Sequence, residues 1–154
     1  MTRHFLYPST MYASIQASEV TTIISSCVAV CLWDRTLGIG GINHYMLPTW
    51  NGMELASPKY GNIAIERLVE KMLQLGSKQS NLVAKVFGGG EVIAFSSNIM
   101  HIGQRNIMVA EEMLEERRIP IIGRSTGGNS GRKIIYNTKT GEVLQAYIKS
   151  NMSK

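Results

Sequence analysis

Short apolar runs separated by turn-forming residues dominate this 154-residue chain. Residues 28–33 are a continuous apolar run bounded by polar positions, which is typical of a strand buried on both faces. The first ten residues show no such pattern, and we expect them to be a loosely ordered segment. Similar but less uniform runs predict further strands at 11–16, 21–24, 42–47, 82–87, 91–95, 119–122, 134–136 and 143–148.

Two segments have helical periodicity instead. The first follows Ser57-Pro58, a suitable cap and first helical position, and ends at Gly76. Its apolar stripe consists of Ile65, Leu68, Val69, Met72 and Leu75. The second covers residues 106–118, with glutamates on its polar face and arginines at its C-terminal end. We therefore predict one α/β domain of the α+β type over residues 1–154, with a mixed, mainly antiparallel sheet or sandwich core flanked by helices.

Charge and composition narrow the classes of partner. The net charge is +5, but the basic residues are scattered and are not interleaved with aromatic ones, which disfavours nucleic-acid binding and leaves an acidic protein partner as the better interpretation. No apolar run approaches the ~18 residues that span a bilayer, and the first residues lack the pattern of a secretory signal. We expect a cytoplasmic protein that does not insert into a membrane.

Cys27 and Cys31 are the only cysteines. Four residues apart on a strand they lie too far from each other for a disulfide, so both are expected to be free thiols. Cys31 falls inside the apolar run and is expected to pack in the core. Cys27 stands at the mouth of the strand, and the next strand brings back His44. A tight turn between the strands would place His44 opposite Cys27, and a longer turn would shift the register by two or three residues.

A histidine on an apolar strand is usually a core residue, but a cysteine facing it points to a cysteine hydrolase. An isolated thiol with a pKa of ~8.5 is only a few per cent thiolate at neutral pH, and lowering that pKa to ~6 requires about 3.4 kcal/mol. A neighbouring imidazolium supplies much of this and also protonates the leaving group. Thr21 or Thr22 could fix the imidazole ring, and backbone N–H groups near Ser26 and Cys27 are candidates for an oxyanion site.

The chain resembles the chemoreceptor glutamine deamidases of the CheD family from about residue 10 onwards. The strongest segments of the resemblance are Ser26-Cys27-Val28-Ala29-Val30-Cys31-Leu32-Trp33-Asp34 and Gly40-Gly41-Ile42-Asn43-His44-Tyr45-Met46-Leu47-Pro48. Further matches are Tyr60-Gly61, Lys85-Val86-Phe87-Gly88-Gly89-Gly90, Ile102-Gly103-Gln104-Arg105-Asn106 and Gly127-Gly128-Asn129-Ser130-Gly131-Arg132-Lys133.

The resemblance implies a protein-glutamine glutaminase that converts glutamines of methyl-accepting chemotaxis receptors to glutamate and releases ammonia through a thioester. It implies Cys27 as nucleophile, His44 as base and Thr21 as the third residue, with Thr22 as the substitute if the alignment slips by one position. It implies no metal and no organic cofactor. It also implies binding to a CheC-type CheY-phosphate phosphatase, so a non-catalytic regulator of that phosphatase is the alternative function.

Two positions depart from the family pattern. Ser25 stands where the family usually has glycine, which would matter if the backbone there needed a positive φ. Ser125-Thr126 replace an acidic residue before Gly127-Gly128 and are expected to change how that loop is anchored or which partner it meets. Gly88-Gly89-Gly90 lacks the Lys-Ser/Thr of a phosphate loop, so we expect a tight turn close to the active site.

Overall fold

Two β-sheets lie face to face, and two helices cover the outer face of one of them. The structure is a computed structural model, which describes residues 1–91 and 101–148. The strands are β1 (Thr2–Phe5), β2 (Thr10–Ser14), β3 (Ser18–Ile24), β4 (Val28–Asp34), β5 (Ile39–His44), β6 (Leu82–Gly88), β7 (Ile121–Thr126), β8 (Gly131–Asn137) and β9 (Val143–Ile148). The helices are α1 (Gly61–Gln74) and α2 (Ile102–Glu116).

The strand order is β1-β3-β8-β9 in the four-stranded sheet and β2-β5-β4-β6-β7 in the five-stranded sheet. β1 pairs with β3, and β6 with β7, in parallel, whereas the other neighbours are antiparallel. The predicted α+β class with a mixed, mainly antiparallel sandwich core is therefore confirmed.

Two apolar clusters separate the layers. One lies between the five-stranded sheet and the helices and includes Leu32, Leu68 and Leu114. The other lies between the two sheets and includes Ile24, Ile42 and Tyr136. Burying such side chains contributes about 1.5–3 kcal/mol each, so the sandwich interior is a stable support for a site at its end.

The N-terminal segment differs from the expectation. Residues 2–5 form β1, which pairs with β3, and Leu6 is buried in the core between the sheets. The segment is too short to show a periodic pattern, because its position is set by backbone pairing to a strand that comes later in the chain. The prediction of a loosely ordered start is wrong for these residues.

Both helices are confirmed, but their starts are shifted. The backbone remains extended as far as Tyr60, because Lys59 accepts hydrogen bonds from the N–H groups of Met46 and Leu47. Helix α1 consequently begins at Gly61, after the predicted cap at Ser57-Pro58. Helix α2 begins at Ile102, before the predicted start. Of the strand predicted at 91–95, residues 92–95 lie outside the described residues.

No helix in the described part of the chain is both long enough and apolar enough to cross a membrane.

Candidate active site

Cys27 lies in the connection that carries the chain from β3 in one sheet to β4 in the other. The glycine turn after β6 holds this connection: the N–H of Gly89 donates to the carbonyl of Cys27 at 2.9 Å and that of Gly90 donates to the carbonyl of Ser25 at 2.8 Å. Gly88 has a φ of +107°, and a Cβ there would lie 2.2 Å from the Cys27 carbonyl oxygen. The glycines are therefore required for the close approach of the two backbones, which confirms the predicted tight turn.

His44 is the last residue of β5, at the same end of the sandwich. Val28 and Tyr45 exchange both backbone hydrogen bonds, at 3.1 and 3.0 Å. Continuing this register places His44 opposite Ala29, and Cys27 opposite Met46. Cys27 and His44 are thus diagonal neighbours, a relationship that puts Cα atoms roughly 7–8 Å apart in a regular antiparallel pair. The register is the longer-turn alternative, shifted by two residues from a direct Cys27–His44 pairing.

Both side chains face the interior between the two sheets. Cys27 packs against the inter-sheet cluster that contains Ala29 and Cys31. His44 is 1% exposed. The buried position of Cys31 in this cluster agrees with the packing role expected for it.

Thr22 contacts the imidazole from the opposite sheet. Its Oγ1 lies 2.7 Å from His44 Nδ1 and also donates to the carbonyl of Leu6 at 2.7 Å. Thr21, on the same strand, faces the other side of the sheet and lines a shallow surface cleft with Arg3, His4, Phe5, Glu19 and Ile135. The expectation that Thr21 contacts His44 is therefore corrected to Thr22, because alternate residues of a strand point to opposite faces.

The two hydrogen bonds of Thr22 determine which imidazole nitrogen carries the proton. A hydroxyl has one hydrogen to donate, and the carbonyl of Leu6 can only accept. Thr22 Oγ1 must therefore accept from His44 Nδ1–H. In the neutral ring this leaves a lone pair on Nε2, which is buried and has no hydrogen-bond partner among residues 1–91 and 101–148. His44 is thus held in the tautomer that a general base requires.

Burial keeps the histidine and the cysteine uncharged. It lowers the pKa of His44 from 6.5 to about 4. Burial also raises the pKa of the Cys27 thiol, although a hydrogen bond from its own backbone N–H partly opposes the change. At pH 7 these shifts favour a neutral thiol and a neutral imidazole over the thiolate–imidazolium pair expected from the sequence.

Asn106, on α2, ties the two halves of the site together. Its Nδ2 donates to the carbonyl of Ser26 at 2.9 Å and to that of Met46 at 3.0 Å. The backbone carbonyl of Asn106 accepts from the Tyr45 hydroxyl at 2.5 Å. The side-chain amide of Asn106 thus bonds to the residue before Cys27 and to Met46, two residues after His44. Asn106 belongs to a motif noted in the sequence, but nothing in that motif reveals these contacts.

Ser25 fits the connection without backbone strain. Among the described residues, the non-glycine positions with positive φ are Ser9 and Arg118, so Ser25 adopts an ordinary conformation. The glycine usual in the family is not required by the backbone of this chain.

Arg132 anchors the loop that follows β7. The side chain is buried, and its NH2 donates to the carbonyl of Gly127 at 2.7 Å while its Nε donates to Ser125 Oγ at 3.2 Å. The N–H of Gly127 in turn donates to the carbonyl of Gly88 at 2.9 Å. Ser125, which replaces the acidic residue of the family pattern, is therefore a neutral acceptor for the arginine.

Comparison with known proteins identifies the family. The family model described as "CheD chemotactic sensory transduction" matches residues 46–147. The chain belongs to the CheD family. The matched span begins after His44, so the family model's match to this CheD protein does not include Thr22, Cys27 or His44.

The relatives extend the similarity over nearly the whole chain. A "Probable chemoreceptor glutamine deamidase CheD" of Trichlorobacter lovleyi is 52% identical over 142 residues, covering 92% of this chain and 88% of the relative. The protein of the same name in Sulfurimonas denitrificans is 42% identical over 95% of this chain and 94% of the relative. The one in Rhodospirillum rubrum is 40% identical over 97% and 85%.

Proposed function

We propose that this chain is a chemoreceptor glutamine deamidase, a hydrolase that converts glutamine side chains of methyl-accepting chemotaxis receptors to glutamate. The observation that carries the proposal is the 2.7 Å contact between Thr22 and His44 Nδ1. Because that contact places the ring proton on Nδ1, the lone pair is on Nε2, which lies in the interior between the sheets where Cys27 also packs. The names of the relatives supply the substrate class.

In the proposed mechanism His44 acts first as a base. Nε2 takes the thiol proton of Cys27 while the sulfur attacks the carboxamide carbon of the glutamine. The electron pair of the C=O bond moves to oxygen, which gives a tetrahedral oxyanion. Because both groups are neutral at rest, proton transfer accompanies the attack and no preformed thiolate is needed.

His44 then acts as an acid and again as a base. Its Nε2–H protonates the amide nitrogen as the C–N bond breaks, so ammonia leaves and a thioester with Cys27 remains. Water then attacks the thioester while Nε2 takes one of its protons. The oxyanion collapses, the C–S bond breaks and Nε2–H returns its proton to the sulfur. The receptor leaves with a glutamic acid side chain, which loses its proton to water and becomes glutamate.

Backbone N–H groups at the Cys27 connection are suited to the oxyanion. Within residues 1–91 and 101–148, the N–H groups of Ser26 and Cys27 have no carbonyl acceptor. The carbonyls of this connection accept hydrogen bonds from the glycine turn and from Asn106. A rigid pair of donors beside the nucleophile is the arrangement that stabilises a tetrahedral oxyanion.

The test is deamidation of the cytoplasmic domain of a receptor from the same organism. Ammonia release and the conversion of glutamine to glutamate, located by mass spectrometry of a receptor digest, are measured for the unmodified protein and for Cys27→Ala and His44→Ala. We expect both variants to lose activity and Cys31→Ala, the control thiol, to keep it. Deamidation that persists in Cys27→Ala would overturn the assignment of the nucleophile.

The non-catalytic alternative is separated by one further measurement. The same variants are added to a CheC-type phosphatase acting on CheY-phosphate. If no receptor is deamidated while the phosphatase is stimulated, the chain is a regulator and the proposal of an enzyme fails.

A further inference from the structure

We propose that the loop of residues 48–59 is a docking arm, and that it binds apolar side chains beside the target glutamine on a helical segment of the receptor. The inference rests on the proposed function and assigns the surface that recognises the protein substrate. It follows from the place of the loop, from its internal hydrogen bonds and from two apolar side chains that it leaves in solvent.

The loop begins and ends next to the candidate active site. At its base the N–H of Met46 donates to the carbonyl of Lys59 at 2.9 Å, and the N–H of Gly61 donates to that of Leu47 at 2.7 Å. The carbonyl of Met46 shares the Asn106 amide with Ser26, the neighbour of Cys27. The arm therefore leaves the protein body at the rim of the Cys27 connection.

Internal hydrogen bonds brace the arm. The indole Nε1 of Trp50 donates to the carbonyl of Glu54 at 2.7 Å, and the backbone N–H of Trp50 donates to Asn62 Oδ1 on α1 at 2.9 Å. The N–H of Met53 donates to Asn51 Oδ1 at 2.9 Å. The Glu54 carboxylate accepts from the Tyr60 hydroxyl. The tip is thus fixed from several directions.

The bracing ties down Glu54, which is itself exposed, and leaves the side chains on either side of it without such contacts. Met53 is 86% exposed and Leu55 is 90% exposed. A single exposed apolar residue is common on protein surfaces. Met53 and Leu55, however, lie on either side of Glu54, whose main chain and side chain are both hydrogen-bonded. We call these two side chains the presented pair. Presenting them on a braced loop reduces the ordering cost of binding, as expected of a recognition surface.

The chemistry of the reaction indicates the occupant. Cys27 and His44 lie between the sheets, and a glutamine side chain is short, so the chain segment that carries it must lie against the rim of the site. On a helix, residues three, four and seven positions from the glutamine share its face, so apolar side chains at those positions would meet the enzyme beside the site. Met53 and Leu55 provide an apolar counterpart of the kind that helical segments use when they dock.

The experiment compares two double variants on the receptor cytoplasmic domain. Met53→Ser with Leu55→Ser removes the presented pair. Ile15→Ser with Leu37→Ser is the matched control, since these residues are 68% and 53% exposed at the other end of the sandwich. That end is defined by the β4–β5 turn and by the pairing of Ser14 with Gly40. Steady-state deamidation gives kcat and KM for each.

We expect KM to rise about tenfold for the Met53/Leu55 variant with kcat within about twofold, and both constants to stay within about twofold for the control. Receptor variants with serine at apolar positions three, four or seven residues from the glutamine should raise KM for the unmodified enzyme, and should raise it less when combined with the Met53/Leu55 variant.

An unchanged KM overturns the docking arm. So does a change confined to self-association of the chain, measured by sedimentation, or to phosphatase stimulation, because each assigns the pair to another partner. Failure of the proposed function is distinguishable, since then the unmodified protein releases no ammonia from the receptor, whereas failure of the docking arm leaves deamidation intact with an unchanged KM.

Discussion

Thr22 on one sheet holds His44 on the other through a 2.7 Å contact between Oγ1 and Nδ1. The hydroxyl donates its hydrogen bond to the carbonyl of Leu6, and the N–H of Leu6 donates to the carbonyl of Thr21 at 2.8 Å. The position of Leu6 therefore orients the Thr22 hydroxyl, and the hydroxyl orients the imidazole ring of His44. The orientation of the base depends on a chain of bonds that starts outside the Cys27–His44 pair.

We predict that Thr22→Val lowers kcat for receptor deamidation about 10–100-fold, the range typical when an orienting partner of a functional histidine is removed. Valine has nearly the shape of threonine but cannot accept from Nδ1–H, so the ring is free to change tautomer. Thr21→Val is the matched control and should change kcat by less than about twofold, because that side chain lies on the other face of the sheet. Thr22→Ser should retain most activity, and a fully active Thr22→Val enzyme would contradict the role.

Alkylation should distinguish the two cysteines. Cys27 is partly exposed, whereas Cys31 is 2% exposed and burial raises the pKa of its thiol far above the usual range. We predict that iodoacetamide modifies the folded protein once, at Cys27, and that modification is slow at neutral pH and accelerates as the pH rises past 9, because burial raises the pKa of this thiol too.

Peptide mass spectrometry after timed quenching gives the site and the rate. Rapid modification at pH 6–7 would show that Cys27 exists as a thiolate at rest, contrary to the neutral pair. Denatured protein, in which both cysteines react, provides the control for complete labelling.

Both helices and the strands from β2 onwards were predictable, because their apolar periodicities follow from which face each element buries, whereas β1 was not. The choice between Thr21 and Thr22 was not. Strand β3 carries Val20, Thr22 and Ile24 toward the core, but its outer face has Thr21 and an Ile23 that is 49% exposed, so both faces read as partly apolar. Where alternation is weak, the sequence leaves the face of each residue undetermined.

The register of the first hairpin was undetermined for a different reason. It depends on the turn at residues 35–38, where Asp34 Oδ1 accepts from the N–H groups of Thr36 and Leu37 and Gly38 has a φ of +66°. The role of Asn106 is a tertiary property as well, since its partners lie 80 and 60 residues away along the chain. No local pattern encodes contacts at such separations.

Asn106 is expected to be a positioning residue. We predict that Asn106→Ala lowers kcat about 10–100-fold with little change in KM, because Ser26 and Met46 lose the shared donor that sets the spacing of the Cys27 connection and the β5 exit. Asn137→Ala is the control: its Oδ1 accepts from the N–H groups of Lys139 and Thr140 in the β8–β9 turn at the far end of the sandwich.

Both asparagine variants should lose stability, measured as the midpoint of urea unfolding, but only Asn106→Ala should lose kcat and change the alkylation rate of Cys27. Equal loss of activity in the two variants at matched stability would reduce Asn106 to a general structural residue.

Ser25→Gly tests the departure from the family pattern. Because Ser25 is not among the positive-φ residues, glycine relieves no strain and should leave kcat within about twofold. It should lower the free energy of unfolding by up to about 1 kcal/mol, since glycine has more freedom to lose on folding. Kinetics and urea unfolding measure both effects, and a large gain in kcat would show that the serine restrains the connection.

The pH dependence of stability should reveal the buried imidazole. The pKa of His44 is lowered to about 4 in the folded protein, from 6.5 in the unfolded chain. Between these values the unfolded state binds the extra proton, so stability is retained above pH 6.5 and declines as the pH falls toward 4. The linkage corresponds to a loss of about 2 kcal/mol from pH 7 to pH 5. His44→Gln should remove this part of the decline in urea unfolding at the two pH values.

Deamidation by the unmodified enzyme should persist at pH 5.5, where the base is still neutral, and disappear as the pH approaches 4. Loss of kcat/KM with an apparent pKa near 6.5 would contradict a buried, neutral His44.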